Sequence, residues 1–186
     1  MKITHLFFLL AALLLASCNN DDDATPSGNI LKYDGENNSG PLLSAGEHEL
    51  AVLFPASKMQ DFTGKKLTEV QVFVGPVPPQ TCLVRVYSKG SANSPGTKLY
   101  EANVASALNL QSWNKFKVNP GIDLSGDDLW IGVYVEHAQE QQSIGCDAGP
   151  RKENGDWLFQ GPDASWKTYQ ERTGESVNWN IRGVVE

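Results

Sequence analysis

The alternation of apolar and polar positions is sharpest over Leu129-Trp130-Ile131-Gly132-Val133-Tyr134-Val135-Glu136. Leu129, Ile131, Val133 and Val135 share one parity and Trp130, Gly132, Tyr134 and Glu136 the other, the period-two signature of a strand with one wholly apolar face. This spacing predicts a central strand. The same period recurs where Val70, Val72 and Val74 alternate with Glu69 and Gln71, and where Val177, Trp179, Ile181 and Val185 alternate with Asn178, Asn180 and Arg182.

Along the rest of the chain the pattern predicts strands over 29–33, 48–54, 66–74, 80–88, 97–104, 112–118, 129–136, 156–160 and 176–185, with short extra pieces near Ile144 and Trp166. Clusters of Gly, Pro, Asn and Asp punctuate them. Only 55–63 reads as able to hold a helical turn. About nine to eleven short strands imply an all-β fold, a two-sheet antiparallel β-sandwich of jelly-roll type. Neither Pro76-Val77-Pro78-Pro79 nor 89–96 reads as a domain linker, because apolar strands resume on both sides. A length of 186 residues with 40% hydrophobic content suits one core and is short for two. The domain is expected to span 29–186.

The amino terminus is of another kind. Met1-Lys2 precedes an apolar run from Leu6 to Leu15, then Ala16-Ser17-Cys18. The run is about half the roughly 20 residues that a membrane-spanning helix requires, and the order of charged, apolar and small residues is that of an export signal. Leu15-Ala16-Ser17-Cys18 resembles the lipobox of bacterial lipoproteins. That resemblance implies a signal peptide over 1–17, removal of the leader, and lipidation of Cys18 with palmitate among the acyl chains. Residues 18–28, with Asn19-Asn20-Asp21-Asp22-Asp23, then form a flexible acidic tether. Asn19 after the cysteine is compatible with passage to the outer membrane, and the acidic run resembles signals that send some lipoproteins to the cell surface.

Losing Lys2 with the leader leaves 14 basic residues against 22 acidic ones, a formal charge of about -8. Nucleic acid is disfavoured as a partner, since its binding needs clustered Lys and Arg to release counterions. An anionic membrane surface is disfavoured on the same ground.

Several phrases occur in a particular order: Tyr33-Asp34-Gly35, Pro95-Gly96-Thr97-Lys98-Leu99-Tyr100, Asp128-Leu129-Trp130-Ile131-Gly132, Cys146-Asp147-Ala148-Gly149-Pro150, Gly155-Asp156-Trp157 and Asn178-Trp179-Asn180-Ile181-Arg182. In these the chain resembles β-sandwich modules appended to secreted peptidases and adhesin-type surface proteins of gut and oral bacteria. The resemblance implies the fold more than an activity, and related sandwiches include adhesin and carbohydrate-binding modules.

Enzyme chemistry finds little support. A hydrolase needs a nucleophile with its base, a tuned carboxylate pair or a metal. His48 and His137 sit at strand ends outside any nucleophile motif, and nothing brings Glu47, Asp147 and Asp156 together. No catalytic residue is expected. A structural calcium ion is conceivable on Asp34, Glu36 and Asn37, or on Asp123, Asp127 and Asp128, because loop carboxylates and amides suit a hard cation. Those residue types are also ordinary turn formers. Cys82 and Cys146 remain once Cys18 is lipidated, and an even count in an oxidising compartment predicts a disulfide.

Binding through a sheet face has the clearest physical shape. If the odd positions of the central strand fill the core, Trp130 and Tyr134 stand outward, and Asn178, Asn180 and Arg182 occupy the outer parity of the last strand. Rings beside amide and guanidinium donors suit a sugar or peptide ligand. The alternative is that a neighbouring segment carrying Trp157 and Trp166 covers those rings. The expectation is a non-enzymatic, lipid-anchored binding module, adhesin-like or glycan-binding. The competing expectation is a structural or assembly component that packs against another envelope protein.

Overall fold

The computed structural model describes residues 28–186. Its strands are β1 (Ile30–Leu31), β2 (Gly46–Phe54), β3 (Lys66–Val74), β4 (Thr81–Tyr87), β5 (Lys98–Asn103), β6 (Ser112–Asp123), β7 (Leu129–His137), β8 (Trp157–Gln160), β9 (Ser165–Thr168) and β10 (Ile181–Val185). They form two sheets, β1-β10-β3-β6 and β5-β4-β7-β2-β8-β9, in which neighbours run antiparallel. The predicted two-sheet β-sandwich is the observed architecture. The chain changes sheet between β1 and β2, β2 and β3, β3 and β4, β5 and β6, β6 and β7, and β9 and β10. Elements close in sequence therefore stand on opposite walls.

β7 lies between β4 and β2, with Val133 opposite both Val84 and Leu50. Leu129, Ile131, Val133 and Val135 point into the main core, where they meet Leu67, Val70 and Val72 of β3 and Ile181 and Val185 of β10. Burying each such side chain stabilises the fold by about 1.5–3 kcal/mol. Close approach of the sheets requires Gly183, where a Cβ would stand 2.7 Å from Ile131 Cδ1 and 2.8 Å from Leu67 Cδ1.

Three elements differ from the sequence expectation. β6 runs on to Asp123 through Pro120, which a strand at a sheet edge tolerates because its missing N–H costs no ladder bond. β10 starts at Ile181; residues 178–180 pair their backbone with 145–155, although the Asn180 carbonyl still accepts from the Phe73 N–H of β3. A second helical turn, α2 (Tyr169–Thr173), follows β9. The Thr168 hydroxyl accepts from Glu171 N–H, the Glu171 carboxylate accepts from Thr168 N–H, and left-handed Gly174 (φ 82°) ends the turn. The helical turn expected in 55–63 is present as α1 (Ala56–Met59) and a 3-10 turn over Gln60–Phe62.

The expected disulfide does not form. Cys82 and Cys146 are both free and buried. Cys82 faces the core from β4 opposite Val135, whereas Cys146 bridges Ser39 and Trp179, so the two hang from different walls and pack as small apolar groups. Burial pushes each thiol up to about 12. The leader, Cys18 and the tether to residue 27 lie outside the described residues. No helix among the described residues is long and apolar enough to cross a membrane.

Candidate functional site

Strand parity builds a groove on the outer face of the six-stranded sheet. In β4, Cys82, Val84 and Val86 turn inward while Thr81, Leu83, Arg85 and Tyr87 turn outward. Register then sets Leu83, Tyr134, Glu49, Phe159 and Trp166 in one row across β4, β7, β2, β8 and β9. At about 4.8 Å per strand the row is roughly 19 Å long. These side chains, with Glu47, Arg85 and Tyr87, line a shallow open groove of about 630 Å³.

The middle of the groove is held by charge. The Arg85 guanidinium lies 4.3 Å from the Tyr134 ring centroid, within cation–π reach. Its Nη1 donates to Glu49 at 2.8 Å and its Nε to Glu101 at 2.8 Å. The Tyr87 hydroxyl donates to the other Glu49 oxygen at 2.7 Å. Glu49 is only 4% exposed. Burial raises its pKa, against the lowering by Tyr87 and Arg85. Gly132 makes room for that carboxylate, since a Cβ there would meet Glu49 Oε1 at 2.6 Å.

The far wall is the β8–β9 hairpin, whose Phe159 and Trp166 rings stand 5.7 Å apart. Arg172 of α2 clasps it from one side, donating to Gln160 Oε1, Asp163 and the carbonyl of Ser165 at 3.0, 2.8 and 2.7 Å.

The residues expected to form one binding face are separated. Trp130 is fully buried, roofed by Trp157 and Trp166 at centroid distances of 5.3 and 5.8 Å. The covering segment weighed as the alternative is therefore what closes over it. Tyr134 lies in the groove. Asn178, Asn180 and Arg182 belong to the other side of the sandwich, where the first two are buried. Asn178 donates to Asp147 and to the Pro150 carbonyl, and Asn180 donates to Asp34.

The calcium sites do not assemble either. The Asp34 carboxylate accepts from Arg182 Nε and Nη2, at 2.9 and 2.7 Å to Oδ2, so its charge is already answered. Glu36 is exposed and Asn37 half-buried beside it. Asp123 pairs with Lys66, Asp127 accepts from Ser125 and Asp128 from the Ala56 N–H. Among the described residues no three His, Cys, Asp or Glu side chains are grouped to hold a metal ion.

The two histidines project inward. Their rings are 5.4 Å apart and both are buried. His137 Nε2 is 2.7 Å from Ser143 Oγ, the reach of a base to a nucleophile, but Ser143 is only 1% exposed. Asp147 accepts from Asn178, Asp156 pairs with Arg151 at 2.7 Å, and Glu47 lines the groove.

Reasoning from the sequence missed Arg85, Glu49, Phe159 and Trp166 as groove residues. The signal for Arg85 was present, as an arginine and a tyrosine on the polar parity of a strand whose other parity is Cys82, Val84 and Val86.

No protein-family model matches the chain, and no curated protein matches it in sequence. In fold it is similar to a solved structure of the cysteine protease and lectin-like domains of Cwp84, a surface layer associated protein of Clostridium difficile. Identity is 14% and the TM-score 0.53; the match covers 84% of this chain and 37% of that one. The likeness is one of fold, and this chain corresponds to little more than a third of that structure.

Proposed function

We propose that the chain is a binding module without enzymatic activity that holds a glycan in the groove of the six-stranded sheet. The observation that carries this reading is the row of Tyr134, Phe159 and Trp166 on a strand scaffold beside fixed carboxylates and a guanidinium. A sugar ring stacks its C–H face on such rings and offers its hydroxyls to such groups. Strands hold these side chains in place before the ligand arrives, which limits the ordering cost of binding. The lectin-like domain of the fold neighbour supports the reading.

An envelope-protein partner is the second reading. It calls for a contiguous apolar patch. The large exposed apolar side chains among the described residues, Leu42, Leu99 and Leu110, lie on three separate segments, which favours the glycan. The proposal includes a lipidated Cys18 and attachment to the outer membrane with the module facing outward. The surface-layer association of the fold neighbour supports a cell-surface position.

A glycan array probed with the purified chain tests the activity. We expect defined hits that weaken at least about tenfold in Trp166→Ala with an unchanged circular dichroism spectrum. An array without hits, or full binding by the variant, overturns the reading. For the anchor, labelled palmitate is expected in the wild type and not in Cys18→Ala; equal labelling overturns it.

A further inference from the structure

The groove lines a set of aromatic rings with uncompensated negative charge. Glu47 and Glu136 are directly opposite one another on β2 and β7, at the end of the groove beside Tyr134. Like charges directly opposite one another on a strand pair are unfavourable. The groove's cations are committed elsewhere. Arg85 pairs with Glu49 and Glu101, and Lys98 also pairs with Glu101. No ion pair among the described residues reaches Glu47 or Glu136. Their neighbours are hydroxyls: Thr81 donates to Glu136 at 3.1 Å, and the Tyr134 phenol lies close to Glu47. Burial, then Glu47, raises the Tyr134 pKa, so that phenol remains a neutral donor at neutral pH. The faces of Phe159 and Trp166 add their own negative quadrupoles, while the Tyr134 ring is already met by Arg85.

From this geometry we infer that the groove selects amine-bearing sugars over neutral ones, and rejects uronic-acid or sulfated chains. The inference rests on the glycan reading above and names the class of sugar. An ammonium group on a stacked sugar ring would meet Glu47 at the exposed end of the groove while the ring lies on the aromatic row. An anionic chain would meet two unpaired carboxylates and find Arg85 already held by two others.

Calorimetric titration of the full chain with glucosamine, N-acetylglucosamine and galacturonate oligomers of equal length tests it, at mildly acidic pH where the free amines are protonated. The glucosamine oligomer is expected to bind about tenfold tighter than its acetylated counterpart, with galacturonate weakest, and the gap should narrow at high salt. Glu47→Gln, an exposed substitution, should remove most of that preference, bringing the glucosamine oligomer to within about twofold of its acetylated counterpart. Galacturonate binding as tight as glucosamine, or an unaltered preference in Glu47→Gln, overturns the inference and leaves the glycan reading standing. Binding of oligolysine, dependent on Glu47, with no sugar bound would overturn the glycan reading and hence this assignment to sugars. Binding of neither sugar nor oligolysine would overturn both.

Discussion

On the six-stranded sheet, Arg85 stands 4.3 Å from the Tyr134 ring and pairs with Glu49; on the four-stranded sheet, Arg182 stands 3.9 Å from the Trp113 ring and pairs with Asp34. The two arginine side chains have the same exposure, 18%. What separates the two units is the origin of the carboxylate. Glu49 reaches Arg85 from within the same sheet, across Gly132, so nothing is drawn over the face and the rings beside it stay open. Asp34 follows β1 and lies 148 positions before Arg182 in the chain, and Gly35 arrives with it, its carbonyl accepting from Arg182 at 3.2 Å. There the pair ties the first segment to the last strand. An arginine on an aromatic ring is thus no mark of a binding site by itself; an in-sheet partner leaves an open face, whereas a partner from a distant loop makes a tie.

The comparison breaks most readily at Arg182. Arg182→Ala leaves Asp34 fully buried without its cation, and we expect a loss of about 3–5 kcal/mol, measured from urea unfolding. Binding in the groove, if retained by the folded fraction, should keep its affinity. Arg85→Ala should cost less, about 1–2 kcal/mol, because Tyr87 still donates to Glu49 and a carboxyl with a raised pKa takes up a proton more easily. An equal or larger loss for Arg85→Ala would erase the distinction between tie and open face.

A smaller effect concerns the inner side of the groove-bearing sheet. Burial, then the nearby His48, lowers the pKa of His137. A depressed folded pKa contributes stability that is fully present above the unfolded value of about 6.5 and is lost as pH falls through the folded value. The urea midpoint is therefore expected to fall between neutral pH and mildly acidic pH, and to fall less in His137→Gln. An identical decline in both proteins would remove His137 as its source.

β3 and β7 were legible in the sequence because one parity of each carries an uninterrupted apolar run, Val70, Val72 and Val74 in β3 and Leu129, Ile131, Val133 and Val135 in β7. The jelly-roll sandwich followed from the number and spacing of such runs. The composite site of Trp130, Tyr134, Asn178, Asn180 and Arg182 was not legible, since period two separates inward from outward but says nothing of which sheet a strand joins. β7 and β10 face one another across the core, so their outer parities point away from each other. Outward parity also does not mean exposure: the β8–β9 hairpin roofs Trp130, and 145–155 packs on Asn178 and Asn180. α2 escaped notice for a simpler reason. Five residues are too few for a helical period, although Thr168, Glu171 and Gly174 spell its two ends.

The Arg172 clasp has a consequence for how such a protein can change. Its acceptors, Gln160, Asp163 and the Ser165 carbonyl, all lie within the β8–β9 hairpin and its turn, so the aromatic wall carries its own fastening. The turn over 161–164 can then be lengthened, or Phe159 and Trp166 exchanged for other rings, without disturbing the residues that join the two sheets. Evolution, or a protein engineer, has in that hairpin a replaceable part: a cassette in which a new ligand preference can be written while the sandwich beneath it is inherited unchanged.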